Sequence, residues 1–143
     1  MRLNPRLLIS LLLAAACQSS TEPLADVRVV TSVAARGIAG ALITISTTIV
    51  NESNRAFTFA AGGCPRKFRI ETASGLKIAL REQICALVAR SLTLAPRERY
   101  QFDDIWDGND ANAIQLIGAY RVIGQPFFSV GPQSAPVTIQ LPQ

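Results

Sequence analysis

Residues 62–94 read GGCPRKFRIETASGLKIALREQICALVARSLTL, and the periodicity of this stretch decides the fold class. Over 67–72, Phe68, Ile70 and Thr72 alternate with Lys67, Arg69 and Glu71. Leu76, Ile78 and Leu80 then alternate with Lys77, Ala79 and Arg81. A period of two marks strands with one buried face. Ala73, Ser74 and Gly75 supply the turn, with Gly75 free to take a positive φ. The reading is a hairpin flanked by Cys64 and Cys85, with Lys67 and Lys77 on its solvated face.

The same period recurs outward in both directions. Residues 26–33 form a strand with Val27, Val29 or Val30, and Val33 inward. A turn over 34–40 leads to the strongest strand, 41–51, ALITISTTIVN. There Ile43, Ile45, Thr47 and Ile49 share one face, and the density of β-branched residues favours sheet over helix. A polar turn, 52–55, returns the chain through 56–60, with Phe57 and Phe59 on one side. After an irregular link over 61–66 and the hairpin, 81–89 has no clear period and has room for one helical turn. A short strand spans 90–94, and Pro96 suits the second position of a type I turn over 95–98. Residues 99–104 point Tyr100 and Phe102 inward, 103–115 form a long acidic loop, and 119–123 and 137–141 are the last strands.

About eight short strands, with no sustained 3.6-residue period, make this an all-β chain folded as an antiparallel β-sandwich. At 143 residues one domain is expected. Tyr120 fits two readings: the tyrosine corner of immunoglobulin-like domains, or an ordinary half-buried strand tyrosine.

The first residues are an address. Residues 1–17 read MRLNPRLLISLLLAAAC, with basic Arg2 and Arg6, an apolar run over 7–13, and small residues over 14–16. This is a secretory signal, too short to span a bilayer as a mature helix. Its ending on Cys17 resembles the bacterial lipobox, in which that cysteine is acylated. The alternative is ordinary cleavage near Ala16, which leaves a free thiol. The expected organisation is a lipoprotein signal peptide over 1–16, an acylated Cys17 with a polar tether over 17–23, and a β-sandwich over 24–143. Such a protein lies in the bacterial cell envelope, on the periplasmic face of the outer membrane in a Gram-negative cell. With Cys17 acylated, Cys64 and Cys85 remain as an even pair in an oxidising compartment, where a disulfide is expected over two buried thiols.

Composition bears on function. The formal charge is +4. Removing Arg2 and Arg6 leaves twelve basic residues against ten acidic ones. That balance is too weak and scattered for nucleic acid. The absence of histidine removes the commonest general base and metal ligand. No serine therefore has a histidine to activate it, a Ser–Lys pair would need Lys67 or Lys77, and two cysteines are too few ligands for a zinc site. The chain is expected to be no enzyme, with no catalytic residue, cofactor or metal.

Several segments between Ile43 and Val122 resemble the BsuPI-type (intracellular proteinase inhibitor-like) domain, an immunoglobulin-like β-sandwich. They are TISTTIVNESNRAFTF (44–59), FRIETASGLKI (68–78), LAPRERYQF (94–102), WDG (106–108) and GAYRV (118–122). Where that family usually has Pro-Gly-Glu, this chain has Arg97 in place of the Gly, and Ile117 stands where a Pro precedes the final Gly-x-Tyr. The aromatic-Asp pair usual before the hairpin is absent, with Arg66 and Lys67 near that place.

The resemblance implies protein binding through one end of the sandwich, with a proteinase or another envelope protein as partner and the membrane held through the lipid anchor. The alternative is a structural or accessory lipoprotein without inhibitory activity. A candidate binding loop is Gly62, Gly63, Pro65 and Arg66. In DDIWDGNDAN (103–112), Trp106 is read as a structural residue tucked into the end of the sandwich. The competing reading is a calcium loop, although the EF-hand spacing is not followed.

Overall fold

The computed structural model describes residues 26–34, 42–61, 66–82, 90–127 and 131–142. Nine strands occur in this order: β1 (Val27–Ala34), β2 (Ile43–Asn51), β3 (Phe57–Ala60), β4 (Phe68–Thr72), β5 (Lys77–Ile78), β6 (Ser91–Leu94), β7 (Arg99–Trp106), β8 (Gly118–Gly124) and β9 (Val137–Leu141). The described residues contain no helix. Every pairing is antiparallel, in sheets ordered β1-β2-β7, β3-β6 and β5-β4-β8-β9. This all-β architecture is consistent with a β-sandwich.

Strand β2 organises the core because its period-two face is unbroken. Ile43, Ile45, Thr47, Ile49 and Asn51 are all buried. The two halves of that face meet different partners. Ile43 and Ile45 join Phe68, Ile70, Trp106, Val122, Ile139 and Leu141, so this half packs against the four-stranded sheet. Ile49 instead joins Val27, Phe57, Phe59, Ala61 and Leu94, so the other half packs under the β3-β6 pair. Tyr100 and Phe102, half-buried as their alternation requires, pack beside this second cluster. Burying such a side chain stabilises the fold by about 1.5–3 kcal/mol.

Thr47 stands where the two clusters meet. It is 1% exposed, and its hydroxyl donates to the Lys67 carbonyl at 3.1 Å. Here the sheets approach so closely that a Cβ on Gly124 would lie 2.1 Å from Thr31 Oγ1 and 2.9 Å from Thr47 Cγ2. A larger residue would force the Thr31 and Thr47 side chains to move.

Four expectations are corrected. The hairpin's second arm is only the two-residue β5, because the chain pairs with β4 at Ile78 and Lys77 and then leaves the sheet. Leu76 is consequently exposed. Lys67 is buried, not solvated, since it lies in the bend before β4 where the two sheets close on it. Strand β7 runs on through Trp106 in register with Ile43, so the acidic loop begins at Asp107. The 95–98 turn has Arg97 at φ 66°, closed by Glu98 N–H donating to the Ala95 carbonyl at 3.1 Å. Positive φ at the third position, after a proline at the second, is the type II turn. Gly75 does take a positive φ, 88°. Residues 1–25, 35–41, 62–65 and 83–89 lie outside the described residues, and with them the signal segment, Cys17, the tether, the turn after β1, Gly62, Gly63, Cys64, Pro65 and Cys85.

Candidate interaction surfaces

The antiparallel registers define two ends. Val27, Asn51 and Arg99 lie together at one, and Ala34, Ile43 and Trp106 at the other. Ile43 and Asn51 are the two ends of the nine-residue β2, about 26 Å apart at roughly 3.3 Å per step.

Asn51 builds the first end. It is fully buried, and both ends of its amide are spent on neighbouring turns. Its Nδ2 donates to the carbonyls of Arg55 at 2.8 Å, Leu94 at 3.2 Å and Ala95 at 3.1 Å. Its Oδ1 accepts from Ser53 N–H at 3.1 Å and Ser53 Oγ at 2.7 Å. Its own carbonyl accepts from Arg97 N–H, and its N–H donates to the Glu98 carbonyl, both at 3.0 Å. One side chain thus ties the 52–55 bend to the 95–98 turn. An aspartate could accept but not donate these bonds.

Around this hub stand four exposed arginines: Arg28, Arg55, Arg97 and Arg99. Arg28 forms an ion pair with Glu52, and Ala95 N–H donates to the Glu98 carboxylate at 2.6 Å. Arg55, Arg97 and Arg99 form no ion pair with any described residue. Beside this end, a cleft of about 550 Å³ separates β1 from 132–137.

The opposite end is built on Trp106, which is 1% exposed, with its indole N–H donating to the Asn109 carbonyl at 2.8 Å and its ring 6.4 Å from Phe68. The following loop is held by its own carboxylates. Asp107 Oδ1 accepts from Asn109 N–H at 3.1 Å. Asp110 Oδ1 accepts from Asn112 N–H at 2.8 Å and Ile114 N–H at 2.9 Å. Burial alone would raise the Asp107 pKa, but the Asn109 backbone and side chain, its own N–H and the Arg66 charge together hold it below 3.8. These oxygens close turns within the loop. Leu42, Leu76, Ile105, Ile114 and Ile117, each more than half exposed, lie at this end: Leu42 and Ile105 beside the Ile43–Trp106 pair, Ile114 and Ile117 in the loop bonded back to Gly108, and Leu76 in the β4–β5 turn.

No protein-family model matches the chain, and no curated protein matches it in sequence.

Of the sequence-nominated residues, Arg66 is half-buried and fastened to the body. Its guanidinium donates to the carbonyls of Ile105 at 3.1 Å and Arg81 at 3.4 Å, and lies 5.7 Å from the Phe68 ring centre. Tyr120 occupies a half-buried position in β8, opposite Thr72 and Ile139, and packs against the first core cluster. The structure adds two residues that sequence reasoning passed over. Asn51 was legible in principle, because an Asn ahead of a Glu-Ser-Asn-Arg bend is a turn-forming signal. Lys67 was not, since nothing local distinguishes it from Lys77. Its N–H donates to Asp104 Oδ2 at 2.8 Å, its carbonyl accepts from Gln125 N–H at 2.6 Å, and its Nζ lies 5.3 Å from the Phe102 ring centre. Burial lowers the pKa of this ammonium, and the charge of Asp104 offsets part of that effect.

Proposed function

We propose that this protein is a non-catalytic envelope lipoprotein, anchored through acylated Cys17 and binding another protein through the Trp106 end of an immunoglobulin-like, BsuPI-like domain. The observation that carries the reading is the placement of the exposed aliphatics. Asp26 precedes β1 at the Asn51 end, so a chain anchored at Cys17 directs that end to the membrane. Leu42, Leu76, Ile105, Ile114 and Ile117 then face away from it. Several exposed aliphatics at one end suit protein contact.

The strand orders support the immunoglobulin-like reading. With β1, β2 and β7 as strands A, B and E, and β4, β8 and β9 as C, F and G, the sheets become A-B-E and C-F-G. Tyr120 then falls near the start of strand F, where a tyrosine corner would lie. A Cys64–Cys85 disulfide completes the proposal. The engagement of the Arg66 guanidinium favours an accessory role over proteinase inhibition, because an inhibitory arginine must project into the protease cleft.

The test is photo-crosslinking in native envelopes from Ile114 and from Ile117, read by mass spectrometry. Crosslinks to one protein, lost on Ile114→Asp with Ile117→Asp, are expected. Crosslinks to no protein, or equally abundant ones from Thr58 on β3, would refute the binding surface. Titration against serine proteinases decides between inhibition and the accessory role. Metabolic labelling with a fatty acid tests the anchor separately: the label enters the wild type and is absent from Cys17→Ser.

A further inference from the structure

The end nearest the N-terminal chain has a chemistry of its own. Asn51 draws the 52–55 bend and the 95–98 turn together, which places Arg55, Arg97 and Arg99 around the end of β2. All three are exposed and form no ion pair with a described residue. Of the carboxylates here, Glu52 pairs with Arg28, while Glu98, which accepts the Ala95 N–H, and Asp26 keep their charge, so three carboxylates stand against the four arginines. The carboxylates of Asp107 and Asp110 lie at the far end.

We propose that this arginine-bearing end docks on the anionic phospholipid surface of the membrane to which the protein is anchored. Two observations select that occupant. The first is charge complementarity between three guanidiniums that pair with no described residue and lipid phosphates, to which arginine binds in a bidentate fork. The second is where the chain preceding the domain ends. Eight residues lie between Cys17 and Asp26, nine steps of the chain, so even a fully extended tether keeps this end within about 30 Å of the headgroups. Docking fixes the domain upright, with the exposed aliphatics pointing outward. The orientation rests on the proposed acylation of Cys17, but the affinity of the arginines for anionic lipid does not.

The experiment therefore removes the anchor. Every residue of both core clusters lies at or after Val27, so a chain of residues 17–143 carrying Cys17→Ser keeps the whole described fold. Its co-sedimentation is measured with phosphatidylcholine vesicles with and without phosphatidylglycerol, at low and high salt. Binding only to the anionic vesicles, weakened by salt, is expected. Each arginine near such a surface contributes roughly fivefold, so Arg55→Ala, Arg97→Gly and Arg99→Ala together weaken binding by about a hundredfold. Replacing the same three by lysine retains most of it, and Arg81→Ala, at the far end, leaves it unchanged. No binding to anionic vesicles, equal binding to neutral ones, or an unaffected triple variant overturns the docking surface. None of these outcomes touches the acylation, which the fatty-acid label decides.

Discussion

Arg97 sits in a conformation that its side chain disfavours. A φ of 66° brings the Cβ of an L-residue against the following carbonyl, at about 1–2 kcal/mol, whereas glycine is free of that clash. The more flexible unfolded chain of a glycine variant offsets part of the gain. Arg97→Gly is therefore expected to stabilise the domain by about 0.5–1 kcal/mol, read as a higher denaturant midpoint at unchanged slope. A lower midpoint would contradict the type II turn. Lys67 makes a prediction in pH. Its folded pKa lies below the ordinary 10.5, so the folded state binds fewer protons between the two values. Stability from this residue rises with pH through that window, and the penalty for burying the ammonium is full below it. Lys67→Met, similar in volume and uncharged, should gain on the wild type at neutral pH and lose that advantage as pH climbs toward 10.5. A stability difference that does not vary with pH would exclude a buried, titrating ammonium.

Among the elements, the loop after β7 carries a calcium reading and a structural one, and its hydrogen bonds favour the structural one. Its carboxylates accept backbone N–H groups, and its tryptophan closes the end of the first core cluster. Trp106→Ala should cost about 3–5 kcal/mol, and wild-type Trp106 emission should be blue-shifted. Millimolar calcium or a chelator should leave the melting temperature unchanged. An upward shift with calcium that is abolished in Asp107→Asn would restore the metal reading. The proposed Cys64–Cys85 bridge flanks the β4–β5 hairpin. Closing a loop of about twenty residues is worth roughly 3 kcal/mol in the chain-entropy model, and Cys64→Ser with Cys85→Ser should lose that amount. Mass analysis after alkylation without reductant should find neither thiol; two alkylated cysteines would remove the bridge.

For the molecule as a whole, local pattern and long-range packing divided the information between them. Alternation within one strand assigns faces without knowledge of the partner, because successive side chains project to opposite sides of any sheet. The sequence alone therefore determined the buried face of β2, the inward Phe57 and Phe59, the Gly75 turn and the all-β class. It likewise placed Trp106 in the core, because an aromatic ring has far more to gain from burial than the carboxylates beside it have from burying charge. What it could not determine depends on residues distant in the chain. Whether Ile45 and Ile49 share one cluster or serve two follows from how β3-β6 and the four-stranded sheet divide the length of β2. Lys67 and Lys77 look alike locally, yet Lys67 is buried because Thr47, Asp104 and Gln125 converge on its backbone, and Lys77 stays exposed on the short β5. Asn51 became the hub of one end because β7 returns beside β2 and brings Leu94, Ala95, Arg97 and Glu98 within hydrogen-bond reach. A side-chain period is set by backbone geometry within a few residues, whereas burial and hydrogen-bond partners are set by which strands meet, and only the tertiary structure decided that.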